Sequence, residues 1–239
     1  MTVENKTIII SGASRGIGRA TALLLAGHGA NVVVTARNAD ELTQLEKEAT
    51  EGHTRGKIVA VSGDVTSESD VATVVRTALD QFKRIDVVIN NAGFGIFKNV
   101  EDISVSEWDD VMATNVKGTF LLTKAALPTL KAQGSGHIVV VASDVAKRTF
   151  AGGSLYTASK YAQEAFMGAL RKEVRPFGIK VTGVYSGLVD SHFHNKPGAE
   201  SSRNWLKNED MAESMLFIVS RPAHVVIDEF MVHPLEQEY

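Results

Sequence analysis

Short, unbroken runs of β-branched and other apolar residues recur along this chain, with helix-like segments between them, and that alternation leaves few folds open. The runs occupy residues 6–11, 31–36, 57–62, 87–90, 138–143, 180–185 and 224–232. Most are continuous rather than alternating in polarity, as expected of strands covered on both faces. Helices are expected at 19–26, 39–50, 67–83, 104–133, 158–174 and 210–220; in the fifth of these Ala162, Ala165, Phe166, Ala169 and Leu170 follow a 3.6-residue period. Asn38 with Glu41, Ser67 with Asp70 and Ser104 with Glu107 stand at the spacing of N-terminal helix caps. Repeated strand–helix alternation predicts an α/β fold with a doubly wound, mainly parallel seven-stranded sheet and helices on both faces. Right-handed crossovers then bring every strand's C-terminal end to one edge, where open α/β sheets bind their ligands.

The chain of 239 residues is long for one domain, but parallel α/β folds of this size are routinely single, and five scattered prolines leave no linker. A single domain over 1–239 is expected. The net charge of −3 supplies no basic surface for nucleic acid or an acidic membrane. With no cysteine, disulfides, thiol catalysis and cysteine-ligated metals are excluded, and a cytoplasmic protein is the expectation. Residues 1–6 lack the basic-then-apolar pattern of a signal peptide, and no apolar stretch reaches membrane-spanning length.

Two local patterns carry chemistry. The first strand runs into Gly12-Ala13-Ser14-Arg15-Gly16-Ile17-Gly18 and then into a helix. Strand, glycine-rich turn and helix in that order let backbone N–H groups and a helix N-terminus meet a pyrophosphate. The spacing is Gly-x-x-x-Gly-x-Gly; its purposes are a tight turn, close backbone approach and close helix packing. The second pattern is Tyr156-Thr157-Ala158-Ser159-Lys160, which puts a phenol and an ammonium on one helix face. A neighbouring cation favours the phenolate and lowers the phenol's pKa from roughly 10 towards the working range. Ser143, placed at the end of the fifth strand, adds a hydroxyl facing the same site.

In these motifs the chain resembles the short-chain dehydrogenase/reductase family over essentially its full length. The resemblance rests on Ser11 to Gly18, Asn90-Asn91-Ala92-Gly93, Asn115, Ser143, Tyr156-x-x-x-Lys160 and a motif after the sixth strand. It implies a Rossmann-type sheet and reversible reduction of a carbonyl to an alcohol. By resemblance Tyr156 is the general acid and base, Ser143 orients the substrate oxygen, and Lys160 lowers the tyrosine pKa and holds the nicotinamide ribose. Asn115 supports a proton relay to Lys160; the alternative is an amide bonding backbone in a kinked helix. Cofactor contacts are implied for Gly12, Ser14, Arg15, Gly16, Ile17, Gly18, Asn91, Ala92 and Gly93, with Asn90 structural. Ser11 replaces the family's threonine. Ser186-Gly187 replaces its Pro-Gly, which frees a φ angle and restores an N–H, so a more mobile loop is expected. Gly187, Val189 and Ser191 keep the rest of that motif. A protein that senses the cofactor without turnover is the alternative function, disfavoured by the intact Ser/Tyr/Lys set.

A carboxylate ending the second strand would select NAD(H), whereas Ala36 and Arg37 stand there and Arg15 lies in the glycine-rich turn. Two guanidinium groups suit a 2′-phosphate, so NADP(H) is favoured over NAD(H). Asp64 and Val65 resemble the family's adenine contact, though Asp64 could simply cap a turn. Substrate, a small carbonyl or alcohol, should meet 94–99, 144–153 and the loop 188–206, with Phe94, Ile96, Phe97 and Phe150 forming an apolar pocket. Lys147 and Arg148 are read as solvated or subunit-contact residues before substrate ligands, and His192 and His194 as loop residues, so no metal is expected. Small residues in 158–169 and an apolar edge strand at 225–232 predict a homotetramer, or at least a homodimer.

Overall fold

The computed structural model describes residues 2–191, 193 and 204–237. Seven strands, β1 (Thr7–Ser11), β2 (Asn31–Ala36), β3 (Ile58–Ser62), β4 (Val87–Asn90), β5 (Gly136–Val141), β6 (Ile179–Ser186) and β7 (Glu229–Val232), form one sheet in the order β3-β2-β1-β4-β5-β6-β7. Every pairing is parallel. The strand order reverses between β1 and β4, so a crevice opens past their C-terminal ends, as in Rossmann-type sheets.

The continuous apolar runs work because successive side chains of a strand face opposite ways. Ile8 and Ile10 of β1 join one core with Val32 and Val34, while Ile9 joins the other with Val33, Val88 and Ile138. Helices α1 (Gly16–Gly27), α2 (Ala39–Glu51) and α7 (Asn208–Val219) cover the first face. Helices α3 (Glu68–Phe82), α5 (Gly118–Gln133) and α6 (Ser154–Val174) cover the second. Each fully buried isoleucine or leucine contributes on the order of 1.5–3 kcal/mol. Among the described residues no helix is long and apolar enough to cross a membrane.

The expected caps form. Asn38 accepts from the Glu41 N–H, Ser67 from the Asp70 N–H, and Ser104 with Glu107 makes a reciprocal capping box opening α4 (Val105–Met112).

Four boundaries differ from the sequence reading. The helix expected over 104–133 is interrupted by a π-helical turn, Ala113–Lys117, between α4 and α5. Helix α6 starts at Ser154, so Tyr156 lies in its first turn. Strand β5 ends at Val141, and Ser143 instead heads a short turn over Asp144–Ala146, accepting from the Val145 N–H at 3.4 Å. Strand β7 is only four residues long because side chains of other elements take the carbonyls before it. Lys180 donates to Val225 O (3.2 Å) and Thr182 to Ile227 O (2.6 Å), so the backbone ladder to β6 begins only at Asp228.

Candidate active site

The C-terminal ends of the central strands open onto one cavity of about 1180 Å³. At its phosphate end, Gly12 adopts φ +64°, and a Cβ there would stand 2.7 Å from Ala92 Cα. The turn is tied to the end of β4. Ser11 Oγ accepts from the Asn91 and Ala92 N–H groups, each at 3.1 Å, and Asn91 Nδ2 donates to the carbonyls of Ser11 (3.0 Å) and Gly12 (2.9 Å). One hydroxyl is enough for this link, which is why serine substitutes for threonine there. Ser14, Arg15, Gly16 and Ile17 line the cavity, and Arg15 gives α1 no side-chain cap. Gly18 does not line it; a Cβ there would meet Gly12 O at 2.5 Å, so its part is to let α1 pack on the turn.

Arg37 lines the far end beside Ala36. Arg15 and Arg37 are both exposed, and neither makes an ion pair among the described residues. Asp64 and Val65 line the same stretch, and Asp64 also caps a turn, its Oδ1 accepting from the N–H and hydroxyl of Thr66 at 2.8 Å. Asn90 is structural: it is buried, and its amide donates to Thr123 Oγ1 at 3.2 Å.

Ser143, Tyr156 and Lys160 come together on the cavity wall beside Asn91, Ala92 and Gly93. All three are less than a tenth exposed, and Ser143 Oγ donates to Asp144 Oδ1 at 3.1 Å. Burial raises the Tyr156 phenol above its ordinary value, the neighbouring Ser143 hydroxyl pulls it down, and the charge of Asp144 adds to the rise. Lys160, expected to lower this pKa, has its Nζ 5.7 Å from the Tyr156 ring centroid and donates to Val141 O (3.0 Å) and Gln163 Oε1 (2.9 Å). Burial pushes the Lys160 ammonium down to about 7.

Asn115 is fully buried at the middle of the π-helical turn and stands behind the cavity wall. Its side chain holds the backbone of Phe94 from both sides, accepting from the N–H at 3.0 Å and donating to the carbonyl at 2.9 Å. The turn also presents Asn115's carbonyl to Gln163 Nε2 at 2.7 Å. Gln163 therefore joins Asn115 to Lys160, a link the sequence reading missed. Its only sequence signal was the Lys160-x-x-Gln163 spacing on one helix face.

Beyond β6, Gly187, Leu188, Val189 and Ser191 line the cavity. The first residues of the loop expected to be more mobile are hydrogen-bonded to other segments. The Gly187 N–H donates to Val232 O (2.9 Å), the Leu188 N–H to Gln237 Oε1 (2.7 Å), and Val189 pairs with Leu206. Gln237 also donates to Asp144 Oδ2 at 2.8 Å, which Arg148 grips from the other side at 2.9 and 2.6 Å. Lys147 points away, paired with Glu164 (2.9 Å) and Glu229 (3.1 Å). Phe94, Phe97 and Phe150, read as a candidate apolar pocket, line the cavity, Ile96 does not, and Phe193 joins them. His192, His194 and most of the loop 188–206 lie outside the described residues.

A glycine-lined anion cradle and a buried Ser/Tyr/Lys group on one sheet edge describe an oxidoreductase that uses a nicotinamide dinucleotide. A family model described as short chain dehydrogenase matches residues 6–201. An uncharacterized oxidoreductase of Staphylococcus aureus is 34% identical over 236 residues, covering 98% of this chain and 100% of the relative. Among solved structures, the alcohol dehydrogenase of the archaeon Thermococcus sibiricus, complexed with 5-hydroxy-NADP, superposes with a TM-score of 0.92 at 29% identity, covering 98% of each chain. A 3-ketoacyl-ACP reductase from Sinorhizobium meliloti gives a TM-score of 0.84 at 32% identity, covering 95% of this chain and 96% of its own. The chain belongs to the short-chain dehydrogenase/reductase family and is an NAD(P)-dependent oxidoreductase.

Proposed function

We propose that the protein reversibly reduces a carbonyl to an alcohol with NADP(H). The observation that carries this reading is the convergence of Ser143, Tyr156 and Lys160 on the wall of a cavity whose other end is a glycine cradle flanked by two arginines. The cradle suits a dinucleotide: Gly12, at φ +64° and with no room for a side chain against Ala92, keeps the turn tight, and the first turn of α1 carries no acidic residue. Gly12, Ser14, Arg15, Gly16 and Ile17 would hold the pyrophosphate, Asp64 and Val65 the adenine, and Lys160 the ribose next to the ring. Asn91, Ala92, Gly93, Gly187, Val189 and Ser191 would frame that ring. When bound, the nicotinamide supplies or accepts the hydride.

The chain's own residues do the rest. The Ser143 hydroxyl bonds to the substrate oxygen and fixes it beside Tyr156. Tyr156 donates its phenolic proton to that oxygen in reduction and removes it in oxidation. Lys160, with a pKa of about 7, exchanges protons near neutrality and restores the phenol. Asn115 positions this group, because it holds Phe94 on one side and Gln163 on the other.

Ala36 in place of an acid, together with Arg15 and Arg37, supports NADP(H) over NAD(H), as does the NADP-type ligand of the archaeal relative. Exposed Trp108 on α4, Phe120 on α5 and Tyr161 on α6 support a homotetramer or homodimer built on those helices. The test is loss of NADPH absorbance across ketones, oxoacids, quinones and acyl thioesters. Turnover of at least one class is expected. Tight NADPH binding with no turnover of any would leave a cofactor sensor as the function.

A further inference from the structure

We infer that the substrate is an uncharged carbonyl compound with an aromatic or similarly flat apolar ring next to the reacting C=O. This rests on the carbonyl-reducing role proposed for Tyr156 and adds the substrate class. Three phenylalanines crowd the substrate side of that residue. The rings of Phe97 and Phe193 both stand edge-on to Tyr156, with centroids 5.4 Å away, and Phe150 lies 6.0 Å from Phe97. Phe97 and Phe150 are 40% and 39% exposed at the cavity mouth, apolar surface that an aromatic substrate would cover. Aromatic rings favour such edge-to-face and offset partners.

The backbone makes room for this cluster. A Cβ at Gly95 would stand 2.9 Å from Phe97 Cζ and 3.1 Å from both Phe193 Cε1 and Tyr156 Cδ2. Only a residue without a side chain lets the three rings converge there.

Charge points the same way. A substrate carboxylate beside the carbonyl would need a cation, and apart from Lys160 of the catalytic group the cations flanking the ring cluster are already matched among the described residues. Arg148 makes two hydrogen bonds to Asp144, Lys98 pairs with Glu107 at 2.5 Å, and Lys147 pairs with Glu164 and Glu229. Freeing any of them would expose a partly buried acid.

The test compares acetophenone, phenylglyoxylate and butanone as substrates of the full-length enzyme with NADPH. Acetophenone is expected to have the highest kcat/KM, by roughly tenfold or more over each of the others, the size of effect that pocket contacts of this kind give. Phe97→Ala should remove most of that preference while leaving the Kd for NADPH unchanged. Phenylglyoxylate matching or exceeding acetophenone would overturn the substrate class while carbonyl reduction stands, as would an aryl preference that survives Phe97→Ala. NADPH binding with none of the three reduced, and none of a wider carbonyl panel, would overturn the reading of the site itself.

Discussion

Replacing Gln237 with alanine tests whether the C-terminal segment holds the cofactor loop in place. Gln237 accepts from the Leu188 N–H at 2.7 Å and donates to the Asp144 carboxylate at 2.8 Å. The first is a neutral hydrogen bond, worth about 0.5–1.5 kcal/mol, and the second is charge-assisted, worth about 1.5–3 kcal/mol. Together they hold the loop after β6 by roughly 2–4 kcal/mol, where the family's proline would have stiffened the backbone covalently. Asp144 keeps Arg148, and Gly187 keeps its bond to Val232, so the loop loosens without the sheet unravelling. Part of that energy should appear as weaker cofactor binding, about a tenfold rise in the KM for NADPH, with the thermal midpoint moving by a few degrees at most. Steady-state kinetics beside a thermal melt separates the two effects. An unchanged KM for NADPH, or a collapse of the midpoint with kinetics intact in the folded fraction, would refute the clamp.

Arg37→Ala should weaken NADPH binding by roughly ten- to a hundredfold, through loss of a charge-assisted contact, and leave NADH almost unaffected; fluorescence titration of both cofactors checks it. His137 is pushed down to about 3 by burial and by the charges of Lys180 and Lys6, against an ordinary value of 6.5, so the folded chain binds fewer protons between those limits. Its contribution to stability is therefore whole above about 6.5 and is lost as pH falls towards 3, about 2 kcal/mol between pH 6.5 and 5. His137→Gln should flatten that part of the stability profile in denaturant melts. Light scattering at micromolar concentration should give two or four chain masses, and an active single-chain mass would refute the proposed assembly.

The sheet was legible in the sequence because its signals are local. Consecutive apolar runs mark buried strands whatever the partner, and Asn38, Ser67 and Ser104 declare helix starts within four residues of chain. The glycine-rich turn and Tyr156/Lys160 were legible for the same reason. What escaped depends on distant residues. Strand β7 is cut short by Lys180 and Thr182 of β6, which no reading of 224–232 alone could reveal. The π-helical turn at Asn115 is matched by Gln163, far along the chain. The direction of the Tyr156 shift is set by how completely the fold buries it, and burial outweighs a cation several ångströms away. Gln237 carried no motif at all; its part exists only because the C-terminal segment returns to Asp144.

Tyr156→Phe tests the central claim most directly, since it removes one oxygen from a buried ring and little else. Single-turnover reduction by the NADPH-loaded variant should slow by ~10²–10⁴-fold, the usual worth of a positioned acid, with the NADPH Kd within a few-fold of the parent. Retention of most of the parent rate at an unchanged Kd would contradict the assignment of Tyr156 as the proton donor.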